Sequence, residues 1–319
     1  MKIVILDYPT ENPGEIDWSG FDAYGEVVRY DYDKDADVAE RIGDADIVFL
    51  NKSSIKREDL EKCPNVKFIS IIATGYNAID IEAAREFGIP VANVPSYGTE
   101  AIAQHAIALL MEITNHIAHH DGEVRKGRKQ DEGDWCFWDY PSIELENKTM
   151  GIIGLGRIGQ ITSKVAQAFG MNVLAYDLYR NDDLINEHCK YTDLDTLLAS
   201  SDVISLHCLL SPETENMINK ETIAKMKDGV ILINNSRGAL IVEEDLAEAL
   251  NSGKIYAAGL DAVRKEPIEM DNPLLNAKNC FITPHISWAA LDCRRRLIAY
   301  SLENLKNYLN GTPTNIVNM

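Results

Sequence analysis

The sequence predicts an α/β fold made of two doubly wound domains. Its 319 residues exceed what a single hydrophobic core usually organises, so two domains are the first expectation. Short apolar runs alternate with helical patterns almost throughout, which is typical of parallel strands connected by helices. A G-x-G-x-x-G pattern lies between one apolar run and the helical pattern after it. That position is typical of a nucleotide-binding turn in a doubly wound sheet.

Composition restricts the kind of partner that the protein can bind. The formal net charge is −19 and the pI is near 4.8, so nucleic acid and anionic membranes would be repelled. No apolar run approaches the roughly 18 to 20 residues that span a bilayer. The chain opens with a strand pattern, MKIVILD, where a secretory signal would need a charged and then an apolar region. We therefore expect a cytoplasmic protein with a small-molecule ligand, no nucleic acid and no membrane.

The first 99 residues have the pattern of one small α/β unit. Each apolar run is short enough for a buried parallel strand, and the helical segments between the runs keep an apolar face. Strands are predicted over 2–6, 46–50, 67–72 and 90–93, and helices over 36–42, 56–63 and 80–87.

A long helix is predicted to follow this unit. From Glu100, the sequence EAIAQHAIALLMEITNHIAHHDGEVRKGR keeps helical periodicity for about seven turns, enough to bridge two domains or form a subunit interface. A loop rich in aromatic residues, DWCFWDYPSIELENK, comes next. His116, His119 and His120 share one face of the helix, a spacing that can bind a metal. Without a carboxylate in the pattern, a solvated or interface face is the better interpretation, and no metal site is predicted.

The chain is predicted to return to its first domain at the end. A second series of strands and helices runs from TMGIIGLGRIG to NCFITPHI, and an amphipathic helix follows Trp288. The tail, TPTNIVNM, has no cofactor pattern and is predicted to be an edge strand of the first unit. The first domain is therefore predicted to combine residues 1–99 and 288–319, with a second domain of residues 100–287 inserted between them.

Three glycines, Gly154, Gly156 and Gly159, form the G-x-G-x-x-G pattern directly after the apolar run MGII. The tight turn, the approach of a pyrophosphate to the backbone and the packing of helix on strand each favour a residue without Cβ. The amides near Arg157 and Ile158, at the start of the helix, would point at the pyrophosphate.

Asp177 indicates which dinucleotide binds. It ends the next predicted strand, MNVLAYD, and lies 18 residues after Gly159. A carboxylate there accepts hydrogen bonds from the ribose diol of NAD and repels the 2′-phosphate of NADP. NAD is therefore the predicted cofactor, although the nearby Arg180 is a cation that could tolerate NADP.

Polar residues also follow three other predicted strands of the second domain. In doubly wound sheets, ligands collect beyond the carboxyl ends of the strands. The further candidates for cofactor contact are His207, Cys208, Asn235, Ser236 and Asp261.

Arg237, Glu266 and His285 are the candidates for the reaction itself. A dinucleotide site without a metal-ligand cluster favours hydride transfer, in which the protein orients the substrate and supplies a proton. For a 2-oxo acid, the minimum is a cation for the carboxylate and an acid for the new alkoxide. Arg237 follows a strand and carries a permanently charged, bidentate guanidinium. His285 also follows a strand, and Glu266 lies in the loop before that strand.

Four motifs, GLGRIG, NNSRGAL, GLDAVRKEP and TPHI, in this order resemble the D-isomer-specific 2-hydroxyacid dehydrogenases. The resemblance covers essentially the whole chain, with ATGYNAID in the first domain included. It implies a Rossmann NAD-binding domain inserted into a discontinuous, flavodoxin-like substrate domain. It also implies that Arg237 binds substrate and that His285, paired with Glu266, is the acid and base. Formate dehydrogenases of this fold resemble a variant with glutamine in place of that glutamate, so Glu266 counts against formate.

The same resemblance implies residues that contact the substrate. The family places the substrate carboxylate against the loop matching ATGYN, which implies Gly75 and Tyr76, with Thr74 nearer the cofactor. The segments NKSS, CFWDYP and HISW are most similar to glycerate dehydrogenases, also called hydroxypyruvate reductases. Two further residues, Asn51 and Lys52, would then face the C3 hydroxyl of the substrate.

Three tryptophans extend the resemblance. Trp288 would lie close to the nicotinamide, where the chain leaves the cofactor domain. In relatives, the helix and loop around residues 100–145 form a dimer interface, which implies a homodimer. Our hypothesis is that Trp135 or Trp138 reaches the active site of the partner subunit.

Two other functions stay open from the sequence. One is 3-phosphoglycerate dehydrogenase, which needs extra cations for the phosphate, whereas the candidates here supply few beyond Arg237 and Lys52. The other is a dinucleotide-sensing protein similar to the C-terminal binding protein corepressors, which is disfavoured by the acidic chain and the lack of extended tails. The expected function is the NADH-dependent reduction of a small 2-oxo acid to a D-2-hydroxy acid, with hydroxypyruvate and glyoxylate first.

Overall fold

The chain divides into two units, each built on one parallel sheet. The computed structural model describes residues 1–8, 14–128 and 135–319. One unit consists of Met1–Gly98 and Trp288–Met319, and the other is Thr99–Ser287.

Within residues 1–8 and 14–98, the first unit contains five strands and three short α-helices. The strand order is β2-β1-β3-β4-β5, all parallel, which is the flavodoxin-like order. The central strands β3 and β4 are buried along their whole length, since helices cover both faces of a parallel sheet. The elements are β1 Lys2–Ile5, β2 Glu26–Arg29, α1 Val38–Ile42, β3 Ile47–Leu50, α2 Arg57–Lys62, β4 Phe68–Ile71, α3 Ile81–Glu86 and β5 Val91–Ala92, with a 3₁₀ helix at Ser19–Tyr24.

The strand β2 was absent from the predicted elements. Its sequence, EVVR, has charged residues at both ends and is only half-buried, because it forms the edge of the sheet. A short edge strand of this kind lacks the continuous apolar run by which the other four strands of this sheet are recognised.

The described part of the second unit, residues 99–128 and 135–287, contains seven parallel strands. Their order is β12-β11-β10-β9-β6-β7-β8, which is the Rossmann order with one strand added. All carboxyl ends therefore lie at the same edge of the sheet. The elements are α4 Thr99–Asn115, α5 Ile117–Arg125, β6 Thr149–Ile153, α6 Arg157–Ala168, β7 Asn172–Tyr176, β8 Cys189–Tyr191, α7 Leu194–Ser200, β9 Val203–Leu206, α8 Lys220–Lys225, β10 Val230–Asn234, α9 Glu243–Ser252, β11 Ile255–Leu260 and β12 Cys280–Ile282.

The long helix predicted from Glu100 is interrupted at His116. This residue has a φ of 50° and separates α4 from α5, so the prediction of one continuous helix was wrong. The imidazole is buried and stacks on Tyr140 with ring centroids 4.3 Å apart. Just before the break, the side chains of Thr114 and Asn115 bond to carbonyls one turn back, which competes with regular helix geometry. The break at His116 thus coincides with a contact to a residue outside the helix, which the helical periodicity of the sequence does not record.

The carboxyl-terminal segment completes the first unit. A last helix, α10 Leu291–Leu309, packs on the sheet, where Tyr308 stacks on Phe68 at 4.4 Å. The predicted edge strand of the tail is only a single antiparallel bridge, between Ala92 and Ile316. The side chain of Asn318 accepts the backbone N–H of Val91 and donates to the carbonyl of Ile89. The tail is therefore attached to the sheet by side-chain hydrogen bonds in place of further strand pairing.

None of the helices in residues 1–8, 14–128 and 135–319 combines the length and the apolar character needed to cross a membrane.

Candidate active site

The turn between β6 and α6 has the geometry of a dinucleotide cradle. Gly154 has a φ of 96°, and a Cβ there would lie 2.6 Å from the backbone nitrogen of Cys208. A Cβ on Gly159 would lie 2.2 Å from the carbonyl oxygen of Gly154. At Gly156, in contrast, a Cβ would meet no described atom within 4 Å. Two glycines are therefore required by packing, and the middle one borders the space that a pyrophosphate would occupy.

The amino terminus of α6 faces this space. Gly156 is the N-cap residue and has no side chain to offer the amides of the first turn. Arg157, which is exposed, and Ile158 are the first two residues of the helix. The helix dipole and the guanidinium both favour an anion at this end.

Asp177 is held directly beside the glycine turn. Its carboxylate accepts the backbone N–H of Leu155 at 2.7 Å and that of Tyr179 at 2.9 Å. These two bonds fix the carboxylate at the carboxyl end of β7, the position expected for a ribose contact. The guanidinium carbon of Arg180 lies 5.6 Å from the ring centroid of Tyr191, so this cation is stacked on an aromatic ring.

The candidates at the end of β9 are neutral at physiological pH. His207 bonds to the Ser205 hydroxyl at 2.9 Å, and burial lowers the pKa of its imidazole to about 4. Burial raises the pKa of the Cys208 thiol to about 11, and its sulfur lies 3.7 Å from that of Met217. Cys208 is therefore a packed thiol and not a nucleophile.

Asn235 is the most informative residue at the end of β10. Its side chain is buried, and within the described residues neither its amide oxygen nor its amide nitrogen has a hydrogen-bond partner. A buried amide without partners is costly, so it points to a missing ligand group. The neighbouring Ser236 hydroxyl donates to Leu206 O at 2.9 Å and bridges β10 to β9. Together with the glycine turn, this orphaned amide fits a bound dinucleotide.

His285 and Glu266 form a direct pair. Nδ1 of the histidine lies 2.7 Å from Oε2 of the glutamate, and both side chains are about one-third exposed, at 29% and 35%. A carboxylate only accepts hydrogen bonds, so Nδ1 carries the hydrogen and Nε2 is the nitrogen that exchanges a proton. The other oxygen of Glu266 accepts the N–H of Val263 at 3.3 Å, which fixes the carboxylate.

Asp261 holds the turn that carries His285. Its buried carboxylate accepts the Thr283 hydroxyl at 2.6 Å and the backbone N–H groups of Ile286 and Ser287 at 2.9 and 2.8 Å. His105 on α4 bonds to the same Thr283 hydroxyl at 3.1 Å. The buried carboxylate of Asp261, a candidate for cofactor contact, therefore holds the turn on both sides of His285.

Arg237 lies at the start of a tight segment after β10. Its Nη1 donates to the carbonyl of Ser236 at 2.8 Å, and the backbone carbonyl of Arg237 accepts Nδ2 of Asn234 at 2.9 Å. A Cβ on the next residue, Gly238, would lie 1.9 Å from the carbonyl carbon of Val263. The segment carrying Arg237 is thus in backbone contact with the loop carrying Glu266.

Candidate substrate residues in the first unit lie in two loops. Asp7, which is fully buried, accepts the backbone N–H groups of Asn51, Lys52 and Ser53 within 3.0 Å. The Asn51 side chain donates to Ile72 O at 2.7 Å. The loop after β3 is therefore shaped by a buried carboxylate that lies just after β1.

The loop after β4 contains the second set. The Thr74 hydroxyl donates to Val94 O at 2.9 Å, and Asn93 Nδ2 donates to Thr74 O at 2.7 Å. Gly75 and Tyr76 follow, and the tyrosine side chain is 40% exposed. Among the described residues, the backbone amides of these two residues have no protein acceptor. Trp288 is half-buried and is the first residue of the returning segment of this unit.

The three histidines near the α4–α5 break, for which a solvated or interface face is predicted, differ in exposure, since His116 is buried while His119 and His120 are partly exposed. His116 is buried, His119 Nε2 lies 2.7 Å from Asp139, and His120 bonds to the carbonyl of His116. A carboxylate partner is therefore present. In the part of the chain that the structure describes, no group of His, Cys, Asp and Glu side chains has the geometry of a metal site.

Several residues that shape the site were not singled out by sequence reasoning. Asp7 directly follows an apolar run, so the rule that polar residues at strand ends are functional could have identified it. Thr283 and His105 act on the His285 turn through contacts between distant parts of the chain, which no local pattern records.

Comparisons with known proteins agree with this geometry. A model described as D-isomer specific 2-hydroxyacid dehydrogenase, NAD binding domain, matches residues 107–287. The chain is 60% identical to the hydroxypyruvate reductase of Blautia hydrogenotrophica, with 100% of both chains covered. It is 36% identical to the glycerate dehydrogenase of Methylorubrum extorquens, with 88% of each covered. The D-lactate dehydrogenase of Aquifex aeolicus, solved with NAD and lactic acid, aligns with a TM-score of 0.86 and 29% identity over 99% of each chain. The predicted fold class and NAD as cofactor are confirmed.

Proposed function

Since the chain belongs to the family of D-isomer-specific 2-hydroxyacid dehydrogenases, we propose that it reduces hydroxypyruvate to D-glycerate and glyoxylate to glycolate. It is an NAD-dependent dehydrogenase. The observation that carries the proposal is the 2.7 Å pair of His285 and Glu266 in the same unit as the glycine turn. The similarity to a hydroxypyruvate reductase and to a glycerate dehydrogenase supports this choice among 2-oxo acids.

The proposed mechanism assigns the proton to His285. When bound, NADH supplies a hydride to the carbonyl carbon of the substrate. Nε2 of the His285 imidazolium donates its proton to the carbonyl oxygen, so that a 2-hydroxy acid forms and neutral imidazole remains. Glu266 accepts from Nδ1 throughout, which orients the ring and stabilises its charged form. In the oxidative direction, the same nitrogen takes the hydroxyl proton.

Substrate binding is assigned to Arg237 and to the loops of the first unit. We propose that the Arg237 guanidinium binds the carboxylate and the carbonyl oxygen, because it is planar, bidentate and permanently charged. The backbone amides of Gly75 and Tyr76, which have no acceptor among the described residues, would add donors for the carboxylate. Three further side chains are proposed to contact the remainder of the substrate, namely Asn51, Lys52 and Trp288.

The cofactor residues follow from the cradle geometry. We propose that the amides at the start of α6 bind the pyrophosphate and that Asp177 binds the adenosine ribose. The orphaned amide of Asn235 is proposed to bind a polar group of the dinucleotide. The remaining proposed contacts are Thr74, Gly154, Gly156, Arg157, Ile158, Gly159, His207, Cys208, Ser236 and Asp261.

A substrate panel tests the proposal. We expect NADH oxidation with the highest kcat/KM for hydroxypyruvate, followed by glyoxylate, and lower values for pyruvate and 2-oxoglutarate. Phosphohydroxypyruvate belongs in the panel, since the 3-phosphoglycerate reaction is the competing assignment. A preference for the phosphorylated compound would support that competitor, and no turnover with any of these acids would reject the proposed reaction.

Assembly and location complete the proposal. We propose a homodimer that uses the helix and loop of residues 100–145, of which residues 129–134 lie outside the described part of the chain. In the single chain, Trp135 is 90% exposed and Trp138 is 69% exposed. Large aromatic side chains that are this exposed support a partner subunit that covers this surface. Sedimentation of the purified protein measures the oligomeric state. A cytoplasmic location is proposed as well, and cell fractionation tests it.

A further inference from the structure

We propose that Glu243 and Arg264 are positioning residues, which fix the position of the Glu266–His285 pair relative to Arg237. This inference rests on the proposed function for its kinetic part only. Neither residue carries out a step of the reaction. Both act on the loop between β11 and β12, in which Glu266 lies.

Glu243 holds this loop at two points. It is the first residue of α9, its side chain is buried, and its carboxylate faces the loop. Oε1 accepts the backbone N–H of Arg264 at 2.7 Å, and Oε2 accepts Nδ2 of Asn272 at 2.9 Å. The two attachment points lie on either side of Glu266 in the sequence. One buried carboxylate therefore fixes both ends of the segment that presents the catalytic glutamate.

Arg264 connects the same loop to the segment after Arg237. Its guanidinium donates to the carbonyls of Ala239 and Ile241 at 3.4 and 3.3 Å, and it also contacts the side chain of Asn216. The ion pair with Glu215 at 3.4 Å is largely exposed and adds little. Arginine suits this position because one planar group can serve several carbonyl acceptors at once.

The two segments are also in close backbone contact. A Cβ on Gly238, directly after Arg237, would lie 2.2 Å from the backbone nitrogen of Arg264 and 1.9 Å from the carbonyl carbon of Val263. Val263 in turn donates its N–H to Glu266 at 3.3 Å. A displacement of the loop at Arg264 is therefore transmitted to the carboxylate on which His285 depends, and it changes the separation from Arg237.

A displacement of this loop should lower the rate of the reaction. Proton transfer from His285 and orientation of the substrate by Arg237 require both side chains to be correctly placed at the same time. A misplacement of about 1 Å in such a site can cost on the order of 100-fold in rate. A purely structural role for Glu243 and Arg264 would instead lower the stability of the protein and leave kcat of the folded enzyme unchanged.

A first experiment compares Arg264→Ala with the control Lys265→Ala. Lys265 lies in the same loop, carries the same charge and forms only an exposed pair with Glu269. We expect Arg264→Ala to lower kcat for hydroxypyruvate about 10- to 100-fold at a temperature where it is folded, with NADH binding unchanged. Lys265→Ala should match the wild type, and Arg264→Lys should restore only part of the loss.

A second experiment exchanges the donor and the acceptor of the buried hydrogen bond between Asn272 and Glu243. In Glu243→Gln, the new amide donor faces the Asn272 amide donor, so one attachment of the loop is lost. Adding Asn272→Asp restores an acceptor, while its second oxygen can still accept the N–H of Leu274. We expect kcat to fall in the single variant and to recover in the double variant, which a double-mutant cycle measures directly.

A third measurement does not require turnover. The ¹⁵N chemical shifts of the His285 ring report which nitrogen carries the hydrogen in the cofactor-free protein. We expect the Nδ1–H tautomer in the wild type and in Lys265→Ala, and a mixture of tautomers in Arg264→Ala. If the wild type failed to reduce hydroxypyruvate, the proposed function would be rejected while this tautomer shift would still support the positioning role. An unchanged tautomer, or wild-type kcat in folded Arg264→Ala, would overturn the inference.

Discussion

His285 donates from Nδ1 to Oε2 of Glu266 at 2.7 Å while its own backbone has a φ of 55°. A histidine in this left-handed region is held there by its surroundings. The carboxylate of Asp261 provides the restraint, because it accepts the N–H groups of the next two residues, Ile286 and Ser287. The acid and base of the proposed reaction is thus positioned by one carboxylate and oriented by another.

Removing the His285 side chain should abolish most of the activity. We expect His285→Asn to lower kcat about 10²- to 10⁴-fold, the usual span for a lost general acid. Asparagine is chosen because it tolerates the left-handed backbone, whereas alanine would add strain at this φ. NADH binding, followed by fluorescence, should be retained. Turnover close to that of the wild type would remove His285 from the proton transfer.

Replacing Glu266 should lower the rate of reduction. In Glu266→Gln, the amide oxygen can still accept from Nδ1 of His285, but the negative charge beside the imidazolium is lost. We expect kcat for reduction to fall by at least about tenfold. Steady-state assays of both proteins measure this. A wild-type kcat in Glu266→Gln would show that the charge of the carboxylate at the 2.7 Å contact has no role in the reaction.

The buried carboxylate of Asp261 should matter for stability as well as for activity. Asp261→Asn leaves one acceptor oxygen for three donors and introduces a donor that faces backbone N–H groups. We expect a loss of about 2–4 kcal/mol in the free energy of unfolding, because buried donors are left without partners. The matched control is Asp292→Asn, an exposed residue that should be neutral. Denaturant titration measures both, and equal stabilities would contradict the assigned role.

Asp177 should set the preference for NADH over NADPH. Its carboxylate is fixed by Leu155 and Tyr179, at the position where a ribose hydroxyl or a 2′-phosphate would lie. We expect Asp177→Ser to lower the ratio of kcat/KM for NADH to that for NADPH by about tenfold or more, since repulsion of the phosphate is lost. Parallel assays with both cofactors test this. A ratio that does not change would place the discrimination elsewhere.

His207 should make the stability of the protein sensitive to acid. Burial lowers the pKa of its imidazole from 6.5 to about 4, so the unfolded chain binds a proton more readily than the folded one. The corresponding stability is present above pH 6.5 and is lost as the pH falls toward 4. The difference amounts to up to about 3 kcal/mol. His207→Gln, which can keep the bond to Ser205, should show a shallower loss of the free energy of unfolding across this range. The same slope in both proteins would assign the acid sensitivity to other groups.

The sequence by itself determined the fold class, the family and the position of the cofactor turn. These follow from local signals, because apolar periodicity reports buried faces and the glycine pattern reports backbone geometry that no other residue allows. The parallel sheets place the carboxyl ends of their strands together, so the polar residues after the strands could be selected as candidates without coordinates.

Only the tertiary structure decided what these candidates contact. The long helix breaks at His116, whose ring stacks on Tyr140, and the His285 turn is held by Asp261, which is distant in the sequence. Glu243 and Asn272 are separated by 29 positions. Side-chain hydrogen bonds over such separations have no periodicity, because they depend on where two distant segments meet after folding. The arrangement of the acid, its carboxylate and the loop that holds them is therefore a property of the folded chain.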